Sequence, residues 1–372
     1  MRRVIISGGG TGGHIYPAIT IARAIAELEK TEFLYVGSRQ GLENTLIPKE
    51  NIPFVTLDVR GLERKISWKN VVTLGRTGKS VIQAMHIIHQ FKPNVVIGTG
   101  GFVCGPVLLA ASMRKIPTLI QEQNVIPGVT NTILSRFVSC IALGYEAAAE
   151  RFSHKDRLIY TGNPVRKEVL TVTKEQGRAA LSLKKDTFTL LIAGGSRGAR
   201  SINTAALMVH EYFKDMDDIQ IIHVTGEGEY QRVVQALAEV DEKGRYGRGS
   251  LIIPYLHQMP EALAAADLVV YRAGAVGLAE VTVRGVPSIL IPYPYAAEDH
   301  QRYNALELVK QGAAKMILDK MLTGKELLDE VLRLKENTNA LLAMAKASKA
   351  LGKPQAAHDI AQLALTMANR RS

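Results

Sequence analysis

Val4-Ile5-Ile6-Ser7-Gly8-Gly9-Gly10-Thr11-Gly12-Gly13-His14 holds, in one run, a strand pattern, a glycine turn and the entry to a helix. The β-branched triplet at 4–6 suits a strand buried on both faces. The apolar spacing after it predicts a helix over 15–29. Residues 33–36 predict the next strand and 95–97 a later one, entered from a helix that Lys92-Pro93 ends. Residues 117–120 and 140–143 continue the series. The same event then recurs: an apolar strand at 188–193 runs into Gly194-Gly195-Ser196-Arg197-Gly198-Ala199 and a helix. Further strands are expected at 219–224, 251–254, 268–271 and 288–291. Strand–helix alternation of this kind predicts parallel sheets covered on both faces, and its restart predicts two doubly wound α/β domains. The expected division is 1–163, 164–355, and a final helix at 356–372 that packs back on the first domain. A capping box is expected at Thr323–Glu326.

Bulk properties agree. A chain of 372 residues exceeds one ordinary hydrophobic core, and 47% hydrophobic with 22% charged residues is globular composition. Two cysteines, Cys104 and Cys140, lie far apart without metal-ligand spacing, which excludes a disulfide framework and fits a reducing compartment. The few residues before the first glycine run leave no room for a signal-peptide core. No stretch approaches the roughly 20 apolar residues of a membrane span. The expectation is a chain that does not cross a membrane. Its formal charge of +11 favours an anionic partner. A nucleic-acid role lacks a recognised module and is not expected.

The first glycine loop contains G-x-G-x-x-G at Gly8, Gly10 and Gly13, so a dinucleotide reading must be weighed. Such a site wants an acid about 20 residues on. The second strand ends instead in Val36-Gly37-Ser38-Arg39; Arg39 leaves an NADP enzyme as an alternative. A second polyglycine turn, at 98–106, follows the strand at 95–97, and a dinucleotide enzyme does not need it. Two such loops at strand C-termini suit a ligand crevice. In the second half, the loop at 194–199 offers amides, a helix dipole and the Ser196 hydroxyl to a phosphate. Glu280 enters the helix after Arg272-Ala273-Gly274, where a carboxylate suits ribose hydroxyls, and 298–304 is a polar cluster suited to a sugar.

Taken in order, GGGTGGH, GTGGFVCGP, EQN at 122–124, GNPVR at 162–166, GGSRGA, RAGA with Glu280, and DHQ with Asn304 resemble the MurG family. These glycosyltransferases attach N-acetylglucosamine to undecaprenyl-pyrophosphoryl-muramyl-pentapeptide in peptidoglycan synthesis. The resemblance runs from about residue 4 to residue 305. It implies the glycosyltransferase B fold, two Rossmann-like domains facing a cleft, with UDP-N-acetylglucosamine as donor and no cofactor. Carried over residue by residue, it implies donor contacts at Thr11, Gly12, Gly13, Asn124, Arg166, Ser196, Leu256, Ala275, Val276, Gly277, Leu278, Ala279, Glu280 and Gln301. His300 is expected beside the donor sugar. The chain departs from the family at Arg197, where many members have Gln, in the stretch 276–279, which lacks a hydroxyl, and at Arg302.

The family's reaction inverts the anomeric centre by direct displacement, so a base must take the acceptor proton. His14 is the candidate, with Glu122 competing. Gly100, Gly101 and Phe102 are expected at the acceptor pyrophosphate. Asp215-Met216-Asp217 resembles a D-x-D metal motif but precedes a strand and reads as a solvated turn, so no metal is expected. A lipid-linked acceptor implies a peripheral enzyme on the cytoplasmic face of the bacterial plasma membrane, touching an anionic surface through Lys65, Ile66, Trp68 and Lys69, with Trp68 in the first domain's core as the alternative. Other cell-wall synthesis proteins are expected partners. The competing functions are a UDP-N-acetylglucosamine 2-epimerase or other nucleotide-sugar enzyme, the NADP oxidoreductase, and a silent subunit that only binds acceptor.

Overall fold

The computed structural model describes residues 1–59, 68–195 and 197–369, with backbone alone for 68–77. Lys65, Ile66 and Ser196 lie outside the described residues, as do the side chains of Trp68 and Lys69. The chain divides into two compact units, Met1–Val165 with Lys353–Ser372, and Arg166–Gly352.

The first unit is built on seven strands: β1 (Arg2–Ser7), β2 (Thr31–Ser38), β3 (Phe54–Leu57), β4 (Val95–Gly98), β5 (Thr118–Glu122), β6 (Cys140–Leu143) and β7 (Leu158–Tyr160). They pair in the order β3-β2-β1-β4-β5-β6-β7, all parallel. Alternation along each strand sorts the core into two layers. Ile5, Val36, Val96, Ile120 and Ile141 face Ala84, Ile88, Val107 and Leu108 from the helices Trp68–Phe91 and Cys104–Met113. Val4, Ile6, Tyr35, Ile97 and Leu119 face the helix Gly12–Leu28 through Ile15, Ile19 and Ile25. Ile360 and Ala364, from the last helix Ala356–Asn369, are fully buried in that second layer. Burying one isoleucine there stabilises by roughly 2 kcal/mol, which fixes the chain's end against its beginning.

The second unit repeats the plan with β8 (Phe188–Ala193), β9 (Ile219–Val224), β10 (Arg245–Tyr246), β11 (Ser250–Ile253), β12 (Leu268–Tyr271), β13 (Ser288–Leu290) and β14 (Ala314–Met316). Their order is β10-β11-β9-β8-β12-β13-β14, parallel except for the antiparallel edge strand β10. In each unit the strand order reverses beside the first strand, between β1 and β4 and between β8 and β12. Open parallel sheets bind ligands at the strand C-termini of such a switch point.

The short edge strands β3, β7, β10 and β14 were not foreseen; two to four residues leave too little periodicity to read. The first helix begins at Gly12 and not at Ile15, because Thr11 is extended (φ −135°, ψ 156°) and the two glycines form the first turn. Of the capping box expected at Thr323–Glu326, one half is seen: Thr323 accepts the Glu326 N–H at the start of Gly324–Glu336. The reciprocal capping box stands at Thr173 and Gln176, which the sequence reading passed over.

Candidate active site

At the first switch point the two glycine loops lie against each other. The Gly9 N–H donates to the Gly100 carbonyl (3.2 Å). Gly100 and Gly101 have φ of +111° and +85°, and a Cβ on Gly101 would stand 2.5 Å from the Gly9 carbonyl oxygen. The glycines are thus required by loop–loop approach as well as by conformation. Thr99, buried between them, donates its hydroxyl to the His14 carbonyl (2.7 Å). Beneath loop 8–14 lies Glu43, fully buried. Its carboxylate accepts from the Ser38 N–H (2.8 Å), the Ser38 hydroxyl (2.6 Å) and the Gly10 N–H (3.0 Å). A carboxylate already bound to a loop amide opposes a phosphate at that same amide. The dinucleotide reading of Gly8, Gly10 and Gly13 is therefore disfavoured by charge.

His14 is half-buried at the end of this loop. Its Nδ1 lies 3.0 Å from the Thr99 carbonyl oxygen and 3.1 Å from Gln123 Oε1. Among the described residues nothing bonds Nε2. Glu122, its competitor, is buried with both oxygens occupied. Oε1 accepts from the Asn124 N–H (3.0 Å), and Oε2 accepts from the Gly128 N–H (3.1 Å) and Asn131 Nδ2 (2.8 Å). That carboxylate orders the loop between β5 and the helix Val129–Leu134. Cys104 donates its thiol to the Ser7 and Gly100 carbonyls, and burial pushes its pKa up to about 11, so it is a structural thiol. Phe102 projects from the second loop with its side chain 59% exposed.

The second switch point is more open. Gly194–Ala199 joins β8 to the helix Arg200–Phe213, and the Gly198 N–H closes the turn on the Gly195 carbonyl (2.9 Å). Gly195 (φ +89°) has no atom within 4 Å of where a Cβ would be, and Gly274 has none either. Gly198 rests on the Thr225 carbonyl, which accepts from Asn203 Nδ2 (2.9 Å). Asn203 in turn ends a buried chain. Its Oδ1 takes His223 Nε2–H (3.0 Å), His223 Nδ1 takes His210 Nε2–H (3.0 Å), and His210 Nδ1 takes the Ser250 hydroxyl (2.9 Å). Each direction follows from the amide nitrogen being committed to a carbonyl. Burial holds the His210 pKa at about 3 and that of His223 well below its usual value, so the pair is neutral.

Glu280 lies in the helix Ala275–Arg284 and is 5% exposed. Arg166 Nε donates to it at 2.8 Å, so two expected ligand contacts form one ion pair. Burial and the Glu280 charge both raise the Tyr271 hydroxyl. Gly277 passes close over the Tyr271 ring, and Ala275 and Leu278 point into the core; these three can meet a ligand only through backbone. Val276 and Ala279 are partly exposed. Arg272, 2.5 Å from Asp319, donates to Ser201 Oγ (3.0 Å) and to the Ile291 and Pro292 carbonyls, gathering the C-terminal ends of β12 and β13. Gln301 accepts the Tyr293 N–H (2.9 Å). His300 Nδ1 donates to the Ala297 carbonyl (2.6 Å), and Glu298 and Asp299 both hold positive φ. Leu256 is half-buried beside the exposed Tyr255. Asp217 pairs with Lys184 and Arg248 at the N-terminal side of β9, as a solvated turn would.

Sequence reasoning missed Glu43, Gln121, Gln123, Asn163 and the Asn203–His223–His210 chain. The readable signal for Glu43 was an acid just past the end of β2. For Gln121, His223, Asn203 and His210 it was polar residues inside β5, β9 and a core helix, where apolar ones would pack; Gln123 and Asn163 lie in loops and gave no such signal.

The chain matches the glycosyltransferase family 28 N-terminal domain over residues 4–143 and the glycosyltransferase family 28 C-terminal domain over residues 189–360. A curated relative from Desulforamulus reducens is named UDP-N-acetylglucosamine--N-acetylmuramyl-(pentapeptide) pyrophosphoryl-undecaprenol N-acetylglucosamine transferase. It is 47% identical over 359 residues, 96% of each chain. Among solved structures, the MurG of Acinetobacter baumannii has a TM-score of 0.78 at 27% identity, covering 98% of this chain and all of the other. The UDP-GlcNAc 2-epimerase from Neisseria meningitidis bound to UDP-GlcNAc has a TM-score of 0.69 at 14% identity, covering 98% and 100%, and shares the fold.

Proposed function

The chain belongs to glycosyltransferase family 28, and on that premise we propose that it transfers N-acetylglucosamine from UDP-N-acetylglucosamine to the muramyl C4 hydroxyl of undecaprenyl-pyrophosphoryl-muramyl-pentapeptide. The observation that carries this reading is 47% identity to a transferase of that name over 96% of both chains, against 14% for an epimerase of the same fold.

The chemistry divides between the units. The acceptor oxygen attacks the anomeric carbon and its proton goes to His14 Nε2. The bond from that carbon to the β-phosphate oxygen breaks, and UDP leaves with the electron pair. Growing charge on UDP is met by the amides of 194–199, the dipole of the helix Arg200–Phe213 and the Arg166 guanidinium. Glu280 and the backbone of 275–279 take the nucleoside, with Leu256 at the base, while Gln301 and His300 serve the sugar. Thr11, Gly12, Gly13 and Asn124 complete the donor contacts. Gly100, Gly101 and Phe102, at the N-terminal end of a ten-residue helix, suit the acceptor pyrophosphate. Glu122 holds its loop and is not the base.

No described helix is long and apolar enough to cross a membrane. The lipid acceptor is reached by peripheral contact, at the cytoplasmic face in this reading. Val129, Ile133 and Phe137, spaced by four residues, are each more than half exposed, and the cation Arg136 stands among them. Apolar side chains beside a cation suit an anionic lipid surface.

Incubation with radiolabelled UDP-N-acetylglucosamine and a short-chain lipid-linked muramyl-peptide should give a labelled disaccharide lipid, undiminished by a chelator. Epimerised sugar with no transfer overturns the reading.

A further inference from the structure

We propose that Gln123 is a positioning residue that fixes the tautomer of His14, so that Nε2 always faces outward as the proton acceptor. The inference rests on the reading of His14 as the base.

A backbone carbonyl can only accept, so the 3.0 Å approach of His14 Nδ1 to the Thr99 oxygen places a proton on Nδ1. In the neutral ring Nε2 then carries the lone pair. The orientation of the Gln123 amide is fixed as firmly. Its Nε2 lies 2.7 Å from the Thr99 oxygen and 2.9 Å from the Gln121 oxygen, both acceptors only. The amide nitrogen must sit there, and Oε1 is left to accept from His14 Nδ1 at 3.1 Å.

The amide is itself held from behind. Gln123 Nε2 also reaches Gln121 Oε1, Gln121 Nε2 donates to Asn163 Oδ1 (2.9 Å), and Asn163 Nδ2 returns to the Gln123 carbonyl (3.0 Å). All three side chains are buried, and the ring closes through the Gln123 backbone carbonyl. From the other side the imidazole lies against Gly100, where a Cβ would stand 2.5 Å from Nδ1. The ring therefore has one partner set and one rotamer.

This matters chemically because which nitrogen accepts is set by the bond the other one makes. With Nδ1–H held, the acceptor proton passes to Nε2, and the resulting imidazolium keeps its Nδ1–H on two oxygens that carry partial negative charge. Without it the proton can occupy Nε2 and block the reaction. The titratable groups on neighbouring elements include Cys104, Glu43, Glu122 and Tyr35, whose hydroxyl donates to the Gly8 carbonyl (2.7 Å); each is bonded elsewhere.

The test uses the full chain. Nitrogen-15 NMR of histidine-labelled wild type should show His14 protonated at Nδ1 and bare at Nε2. Gln123→Met leaves the Thr99 carbonyl as the one remaining acceptor at Nδ1, so His14 should show a mixture of both tautomers and kcat should fall by ~10-fold, with KM for UDP-N-acetylglucosamine unchanged. Gln123→Glu can take this place only as the neutral acid, whose hydroxyl donates to the Thr99 and Gln121 oxygens while Oε1 accepts from His14; it should keep most of the rate while neutral and lose it as that acid ionises with rising pH. An Nε2–H tautomer in wild type, or a Gln123→Met enzyme with normal kcat, overturns the proposal. Should Gln123→Met fail to fold, a Gln123→Glu enzyme whose kcat is undiminished as that acid ionises overturns it. Failure of the functional reading looks different: wild type then transfers no sugar, while the tautomer spectrum still decides what Gln123 does.

Discussion

The two units carry the same sequence device, a strand running through glycines into a helix, and use it in opposite ways. In the first unit Gly9, Gly100 and Gly101 are held against one another, while Gly10 and Gly13 leave room for a Cβ. Gly9 bonds Gly100, Gly101 crowds Gly9, Gly10 bonds Glu43, and Gly100 gives the His14 ring its place. In the second, Gly195 and Gly274 leave room for a Cβ, while Gly194 and Gly198 are pressed against backbone. One turn packs against its neighbour and against His14; the other leaves room for a Cβ at Gly195, close to a helix N-terminus. A glycine run by itself therefore does not distinguish a phosphate cradle from a close-packed turn. What distinguishes them is what already occupies the amides.

The comparison breaks first at Gly100. A Cβ there meets the imidazole and forces a left-handed residue, so Gly100→Ala should cut kcat by ~10²- to 10³-fold, the scale of losing a positioned base. Gly195→Ala meets nothing and adds only backbone strain, about 1 kcal/mol, with kcat lowered far less. Steady-state kinetics of both variants decide it; equal losses would mean the loops do not differ as described.

Glu43 sharpens the same contrast from below. Removing it in Glu43→Ala orphans the Gly10 and Ser38 N–H groups inside the protein and should cost about 3 kcal/mol. Urea unfolding would show it, and a loss under about 1 kcal/mol would mean loop 8–14 does not depend on the carboxylate.

Much of this was legible beforehand, for physical reasons. The central strands declared themselves because β-branched runs buried on both faces need no partner to be recognised, and glycines after them marked the switch points. His14 was legible because it ends such a turn. Gln123 was not: it sits in a motif whose neighbours look more reactive, and its role exists only once β4 brings Thr99 alongside. Nor was the pairing of Arg166 with Glu280, 114 residues apart, since nothing in either segment's pattern specifies the other. Local periodicity writes elements; the tertiary register writes hydrogen-bond partners.

The buried histidines predict an acid sensitivity confined to the second unit. Both are neutral when folded, and their pKa values lie below the unfolded value near 6.5. Above pH 6.5 neither state binds the proton and nothing is lost. Below it the unfolded chain gains protons that the folded pair refuses, so stability falls as pH drops from about 6.5 toward the folded value. From pH 7 to pH 5.5 the pair should lose about 2 kcal/mol. Calorimetry across that range should show the decline, and His210→Phe with His223→Leu should flatten it. An unflattened decline would assign the acid loss to other groups.

Gly274 should give the smallest change in the fold and so isolates binding from stability. It caps the helix Ala275–Arg284 in an extended conformation (φ −69°, ψ 131°) that serine adopts freely, and the space for a Cβ is empty. Serine is a good N-cap, so Gly274→Ser should alter unfolding by less than ~0.5 kcal/mol. If the nucleotide occupies that space, the added hydroxymethyl collides with it, and KM for UDP-N-acetylglucosamine should rise about tenfold, the worth of one displaced contact near 1.4 kcal/mol. The matching change in the first unit, Gly9→Ser, drives a Cβ to 2.5 Å from Glu43 and should damage folding before binding can be measured. A Gly274→Ser enzyme with unchanged KM would place the nucleoside elsewhere along 275–280 while leaving the openness of the turn intact.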